Sequence, residues 1–250
     1  MNIESFGRGP DLAMLHGWGM HSGVWRKEAQ ELARQFRVHL VDLPGHGKSR
    51  DCDHFDEVVY ALAEQLPKAL SVAGWSLGAI IALEWAAAFP EQVTKLAFIA
   101  GTPSFAMRED WRWGWSREVL ESFEGDLKRN PDDSLKRFLS LLVKGENDER
   151  NNLRALRQFM FDADGPPLAA LIAGLKVLKE TDLRKSLPGI EQPALVMHGE
   201  EDRVVPIAAA RWLAAQMPTA KLSVFVGCGH APFLSQPEQF VAELTAFFDG

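Results

Sequence analysis

The sequence predicts an α/β fold: a mostly parallel central sheet flanked by helices, with a helical lid inserted between two of its strands. Three observations carry this. Short apolar runs recur along the chain, and longer stretches with helical spacing separate them. Between Thr102 and about Leu183 the alternation stops, and charged and aromatic residues recur at helical spacing without a strand.

In chain order the apolar runs are Leu12–Leu15, Val38–Val41, Val72–Trp75, Leu96–Ala100, Leu195–His198 and Leu222–Val226. Successive rather than alternate residues are apolar in each, the pattern of strands buried on both faces of a parallel sheet. Helices are expected over Phe55–Leu66, Leu77–Phe89, Ile207–Gln216 and Pro237–Phe248. Within the interruption, Asn130-Pro131 and Gly165-Pro166-Pro167 punctuate the chain, so four helices are expected there. Residues 1–102 and 184–250 then form the core, and 103–183 the lid.

A chain of 250 residues can bury one large core. With 46% hydrophobic and 24% charged residues it reads as neither disordered nor membrane-embedded, and a compact monomer or small oligomer is expected, the monomer first. The first residues hold an early acid and no apolar run that could serve as a signal peptide, and no stretch is long enough to span a bilayer; the expected compartment is the cytoplasm. Cys52 and Cys228 lie in no zinc or redox spacing and are expected to be reduced thiols. A net charge of -7 argues against nucleic acid as a partner. The segment Arg108–Lys185 is balanced, with 15 basic and 15 acidic residues, so the rest of the chain carries all the negative charge.

Gly74-Trp75-Ser76-Leu77-Gly78 is a G-x-S-x-G pentapeptide preceded by an apolar strand and followed by an Ala/Ile/Leu-rich helix. That setting marks a nucleophile elbow, where a strained turn lifts the serine hydroxyl above the sheet of an α/β-hydrolase fold. The glycines two residues to either side keep side chains from colliding across the bend. A chance match in a surface loop would lack the strand and the helix.

A serine hydroxyl is a poor nucleophile at neutral pH, so a histidine held by a carboxylate has to take its proton. In this fold the acid follows a late strand and the histidine follows the last one. Asp202, in the loop Gly199–Pro206, is the expected acid; Glu200 and Glu201 compete with it and read otherwise as solvated loop charges. His230 follows the last strand within Gly227-Cys228-Gly229-His230-Ala231-Pro232-Phe233 and is the expected base. His198 is the runner-up, with a buried, hydrogen-bonded imidazole the commoner reading. His39, His46 and His54 precede the serine and read as surface or packing residues.

Leu15-His16-Gly17-Trp18-Gly19-Met20 follows the first core strand. Attack on a carbonyl places negative charge on its oxygen, and the backbone N–H groups of Trp18 and Leu77 are the expected oxyanion hole. His16 reads as a support for this loop, and the Trp18 side chain as pocket wall.

His16-Gly17-Trp18-Gly19, Leu40-Val41-Asp42-Leu43-Pro44-Gly45-His46-Gly47-Lys48-Ser49, Gly74-Trp75-Ser76-Leu77-Gly78 and Gly229-His230-Ala231-Pro232-Phe233 together resemble the pimeloyl-carrier-protein methyl ester esterase family of biotin synthesis. The elbow and histidine motifs are shared by many α/β-hydrolases; the Gly-Trp-Gly after His16, Trp75 and the lid sequence narrow the resemblance. It implies an acyl chain against Trp18, Phe138, Leu139, Leu141 and Leu142, and arginines Arg137, Arg150 and Arg154 turned toward an acidic acyl carrier protein bearing a pimeloyl methyl ester. One family arginine is replaced here by Asp133. Independently, Arg150, Arg154 and Arg157 recur at helical spacing along one face, which suggests an acidic partner or a solvated face balanced by Glu146, Asp148 and Glu149. Trp111, Trp113 and Trp115 roof the pocket or form lid core.

The leading expectation is a serine carboxylesterase that needs no metal or organic cofactor. The alternatives are a broad esterase or lactonase acting on small esters, a C–C bond hydrolase or lyase on the same fold, and a non-catalytic ligand receptor.

Overall fold

The computed structural model describes residues 1–49, 55–161 and 165–250. Cys52 and His54 lie outside them.

The sheet has seven strands, β1 (Asn2–Gly7), β2 (Asp11–Leu15), β3 (Arg37–Asp42), β4 (Leu70–Trp75), β5 (Val93–Ile99), β6 (Ala194–Gly199) and β7 (Ala220–Phe225), in the spatial order β1-β3-β2-β4-β5-β6-β7. All neighbours run parallel except β1, which pairs antiparallel with β3. The six parallel strands fall on the expected apolar runs. The edge strand β1 is an addition: its residues are half-buried or exposed, so it shows no apolar run.

The helices are α1 (Arg26–Leu32), α2 (Val58–Gln65), α3 (Leu77–Ala88), α4 (Arg117–Arg129), α5 (Pro131–Leu142), α6 (Glu149–Phe161), α7 (Leu168–Glu180), α8 (Ile207–Gln216), α9 (Pro232–Ser235) and α10 (Pro237–Asp249). Among the described residues none is long and apolar enough to cross a membrane. Helix α3 packs on β4 and β5 and is buried almost all round, which explains its run of Ala, Ile, Leu and Trp with only Glu84, Ala87 and Ala88 exposed in it. On α1, Trp25 just before the helix stacks on Phe240 of α10.

Four helices, α4 to α7, lie between β5 and β6. Asn130 ends α4 and Pro131 opens α5 at its first position, where a missing N–H costs nothing; Asp132 and Asp133 then suit the positive helix start. Where this segment leaves and rejoins the sheet, the Leu183 N–H donates to the Pro103 carbonyl at 2.8 Å, and the Arg108 guanidinium donates to the carbonyls of Lys179 and Glu180.

One charged side chain sits where folding makes it neutral. Glu28 on α1 is 3% exposed, its Oε2 has no partner among the described residues, and burial pushes its pKa up to about 7. The folded state therefore holds a proton that the unfolded state releases above the ordinary carboxylate range. Stability is full at low pH and falls as pH rises toward 7, by on the order of 3 kcal/mol. Glu28→Gln is expected to raise the denaturant midpoint at pH 8 and leave it nearly unchanged at pH 4; an equal shift at both would sink this account.

Candidate active site

The strand order reverses between β2, whose next strand lies on one side, and β4, which lies on the other, and ligands of open α/β sheets bind at such switch points beyond the strand ends. Ser76 follows β4, and the loop 16–20 follows β2. Ser76 has φ 56° and ψ -113°, a conformation costly for a residue with a Cβ, and it is held by its N–H donating to the Ile99 carbonyl at 2.9 Å. The flanking glycines have a visible cause. A Cβ on Gly74 would strike the Gly78 carbonyl, and one on Gly78 would strike the carbonyls of Leu15 and His16.

The three residues expected to act together are brought together. His230 Nε2 lies 2.9 Å from Ser76 Oγ, and His230 Nδ1 lies 2.7 Å from Asp202 Oδ2. The side chains of His230 and Asp202 are fully buried. Burial alone would raise the Asp202 carboxyl, but the neighbouring His230 charge and hydrogen bonds from His198 and His230 hold it well below the ordinary range. An ionised Asp202 accepts, so Nδ1 of His230 carries the proton and Nε2 is left to accept from the serine hydroxyl. The other Asp202 oxygen accepts from the N–H groups of Val204 at 2.8 Å and Val205 at 2.9 Å, which fixes the carboxylate plane. Glu200 is exposed, and Glu201 pairs with Arg203; neither reaches the imidazole.

His198 is also drawn to the acid. Its Nε2 lies 2.8 Å from the Val205 carbonyl and 3.2 Å from Asp202 Oδ2; a carbonyl can only accept, so Nε2 carries the hydrogen. Its Nδ1 is buried without a partner among the described residues, so the imidazole is only half satisfied there.

The N–H groups of Trp18 and Leu77 have no acceptor among the described residues. His16 ties their loop down: Nδ1 donates to the Gly17 carbonyl at 2.8 Å, and Nε2 accepts from the Leu43 N–H at 2.9 Å. Burial, helped by the adjacent His46, pushes the pKa of His16 down to about 3, so it stays neutral and keeps both bonds. His39 and His46 are buried, not at the surface.

Trp18 is 3% exposed and stands edge-on to Phe138 at 5.0 Å. Phe138, Leu139 and Leu142 are buried and Leu141 is half-buried. Sequence reasoning missed Phe123, which packs on both Trp18 and Phe138, and Leu171, whose carbonyl accepts from the Trp18 indole at 2.9 Å. It also missed Gly174, where a Cβ would strike Trp18 and press on Leu77. A lone glycine inside an apolar helix was the signal available for that close approach. Of the three tryptophans, Trp111 and Trp113 pack with Trp212 of α8, whereas Trp115 reaches Phe123 and donates to the Val204 carbonyl in the acid loop at 3.0 Å. A separate cavity of about 600 Å³ adjoins the loop at Gly19 and Met20, lined also by Asp42, Lys48, Met160 and Pro167; no triad residue lines it.

Glu146 is not the solvated balancing charge its sequence neighbours suggest. It is 7% exposed, and its two oxygens accept from the Gly229 N–H at 2.8 Å and the Asn152 amide at 2.7 Å. Burial raises its carboxyl above the ordinary range, against these hydrogen bonds, which lower it. Arg137 pairs with Asp126 at 3.3 Å; Asp133 pairs with Lys136. Arg150 and Arg154 are exposed. Cys228 is a free, buried thiol, which burial pushes up to about 11. Among the described residues no group of three or more His, Cys, Asp or Glu side chains is disposed to hold a metal ion.

Residues 12–237 match the family model described as alpha/beta hydrolase fold. The chain is 47% identical to the pimeloyl-[acyl-carrier protein] methyl ester esterase of Nitrosomonas europaea, over 97% of each protein. It is 42% identical to the protein of the same name from Chromobacterium violaceum, over 97% of this chain and 95% of that one. Among solved structures it resembles an esterase from Exiguobacterium antarcticum with a TM-score of 0.89 and 25% identity, over 99% of this chain and 95% of the other.

Proposed function

The chain belongs to the α/β-hydrolase family and, within it, to the pimeloyl-[acyl-carrier protein] methyl ester esterases, and from that premise we propose that Ser76, His230 and Asp202 hydrolyse the methyl ester of a carrier-bound pimeloyl group. The observation that supports this most is the continuous chain of short contacts from Ser76 Oγ through the His230 ring to Asp202. Ser76 Oγ attacks the ester carbonyl while its proton passes to His230 Nε2. The N–H groups of Trp18 and Leu77, with no acceptor among the described residues, take the developing oxyanion. Collapse expels methanol, which leaves with the proton held on His230. Water, deprotonated by the same nitrogen, then attacks the acyl-enzyme and frees the carboxylate and Ser76.

Segment 103–183 serves as the lid in this reading. Trp18, Phe138, Leu139, Leu141 and Leu142 bound the acyl chain, and Arg150 and Arg154 face the acidic carrier. Arg137 contributes less, since Asp126 already neutralises it and Asp133 stands nearby.

The test compares substrates. Reversing Arg150 and Arg154 to Glu exchanges two exposed attractions of roughly 0.2–1 kcal/mol for comparable repulsions, so kcat/KM on carrier-bound methyl ester should fall about ten-fold. Short nitrophenyl esters, which need no docking surface, should be turned over as before. Because such charges are screened over roughly 10 Å at 0.1 M salt, added salt should weaken the wild-type carrier reaction in the same direction. Indifference of the carrier substrate to both changes would make a broad small-ester hydrolase the better reading.

A further inference from the structure

We infer that Glu146 is a positioning residue for the base, latching the lid segment to the backbone of His230; this rests on the reading of Ser76, Asp202 and His230 as the hydrolytic triad. The backbone of His230 is held from two directions. Its carbonyl accepts from the Trp75 indole at 2.8 Å, a group next to the nucleophile on β4. Its N–H donates to the Leu142 carbonyl at 2.8 Å, at the end of α5. The preceding N–H, of Gly229, donates to Glu146 Oε1 at 2.8 Å. Two successive backbone donors at the base thus end on acceptors between the last turn of α5 and the start of α6.

The approach is close by construction. A Cβ on Gly229 would strike both Glu146 Oε1 and the Leu142 carbonyl, so only glycine lets the loop meet the lid backbone to carboxylate. The other oxygen of Glu146 accepts from Asn152 on α6, and the same amide nitrogen of Asn152 lies 3.2 Å from Ser235 Oγ, on α9 beyond the histidine. Glu146 and Asn152 are each 7% exposed. Residues 229 and 235, on both sides of His230, are therefore tied to one carboxylate–amide pair. Asn152 sits between Arg150 and Arg154 on α6, which connects the surface proposed for the carrier to the loop that aims the imidazole.

A role in aiming the base differs from mere adhesion in what it does to each active molecule. Displacement of a catalytic group by a fraction of an ångström to an ångström lowers turnover without weakening substrate binding. The experiment titrates active sites with a fluorophosphonate and measures kcat and KM per titrated site on a short nitrophenyl ester, for Glu146→Ala, Asn152→Ala and Glu146→Gln, beside the thermal midpoint of each. Positioning predicts that Glu146→Ala lowers kcat per site about ten-fold or more with KM little changed. Asn152→Ala should follow in the same direction to a smaller extent. Glu146→Gln keeps a carbonyl oxygen for Gly229, and its new N–H₂ can face a flipped Asn152 amide, so it should recover most of the lost turnover. If Glu146→Ala fails to fold, the comparison of Asn152→Ala with wild type decides. Unchanged kcat per site in the folded variants, with only lower midpoints, would overturn the inference and leave the triad reading standing. Activity retained by Ser76→Ala would instead overturn the triad reading and this one with it.

Discussion

Replacing Asp202 by Asn is expected to cut ester turnover by about 10⁴-fold while the protein stays folded. The size follows from the bonds already described. One Asp202 oxygen accepts from two backbone N–H groups, at Val204 and Val205, so in the amide variant the carbonyl oxygen must stay there. The new N–H₂ then faces both His230 Nδ1 and the N–H of His198 Nε2. His230 has to present a lone pair at Nδ1, its hydrogen moves to Nε2, and the ring donates toward Ser76 where it should accept. Glu200→Gln and Glu201→Gln touch none of these bonds and should change turnover little. Comparable losses from either glutamate variant would show that the acid lies elsewhere.

Ser76→Ala should be more damaging still, on the order of 10⁶-fold in kcat, because the three residues act as a unit and little remains once the nucleophile is gone. Stability should move by only ~1 kcal/mol or less. The side chain caps no helix, its hydrogen bond among the described residues is to His230, and alanine meets the same backbone strain as serine at φ 56°. The variant should also be inert to fluorophosphonate. Activity within a few-fold of wild type would remove Ser76 from the mechanism.

The elements that sequence made most directly legible are those whose burial is two-sided, with the one-sided helices α2, α8 and α10 showing through their helical spacing. Strands β2 to β6 and helix α3 are largely apolar and buried on both faces, so simple runs of Leu, Val, Ala and Ile reveal them, whereas the edge strand β7 is mostly half-buried and shows through Leu222, Val224 and Phe225 on either side of Ser223. β1 faces neighbours on one side only, and α1 has seven residues, two turns at most, too few for a period to show. At the proposed site, Ser76, Asp202 and His230 were legible because this fold places its nucleophile, acid and base in a fixed chain order and needs glycines at steric contacts around the elbow. Glu146 was not, since in Gly145-Glu146-Asn147-Asp148-Glu149-Arg150 it is one acid among several, and only the fold shows which carboxylate turns inward onto Gly229. Phe123 was hidden for a related reason. On the mostly exposed α4 it reads as an ordinary amphipathic position, and its packing on Trp18 joins residues far apart in the chain.

The hydrogen bond from Leu183 to Pro103 bears on how such a protein changes over generations. The inserted helices leave the core and return to it through one closed neck, so replacing what lies between asks no strand to shift register, and loop-closure entropy grows only slowly with the length replaced. The groups proposed to react come from outside the neck: Ser76 before it, Asp202 and His230 after it. A new insertion has only to supply acceptors for the N–H groups of residues 229 and 230 and a partner for the Val204 carbonyl. On the proposed reading, recombination at this neck exchanges substrate preference wholesale, while the groups proposed to break the ester bond are inherited unaltered.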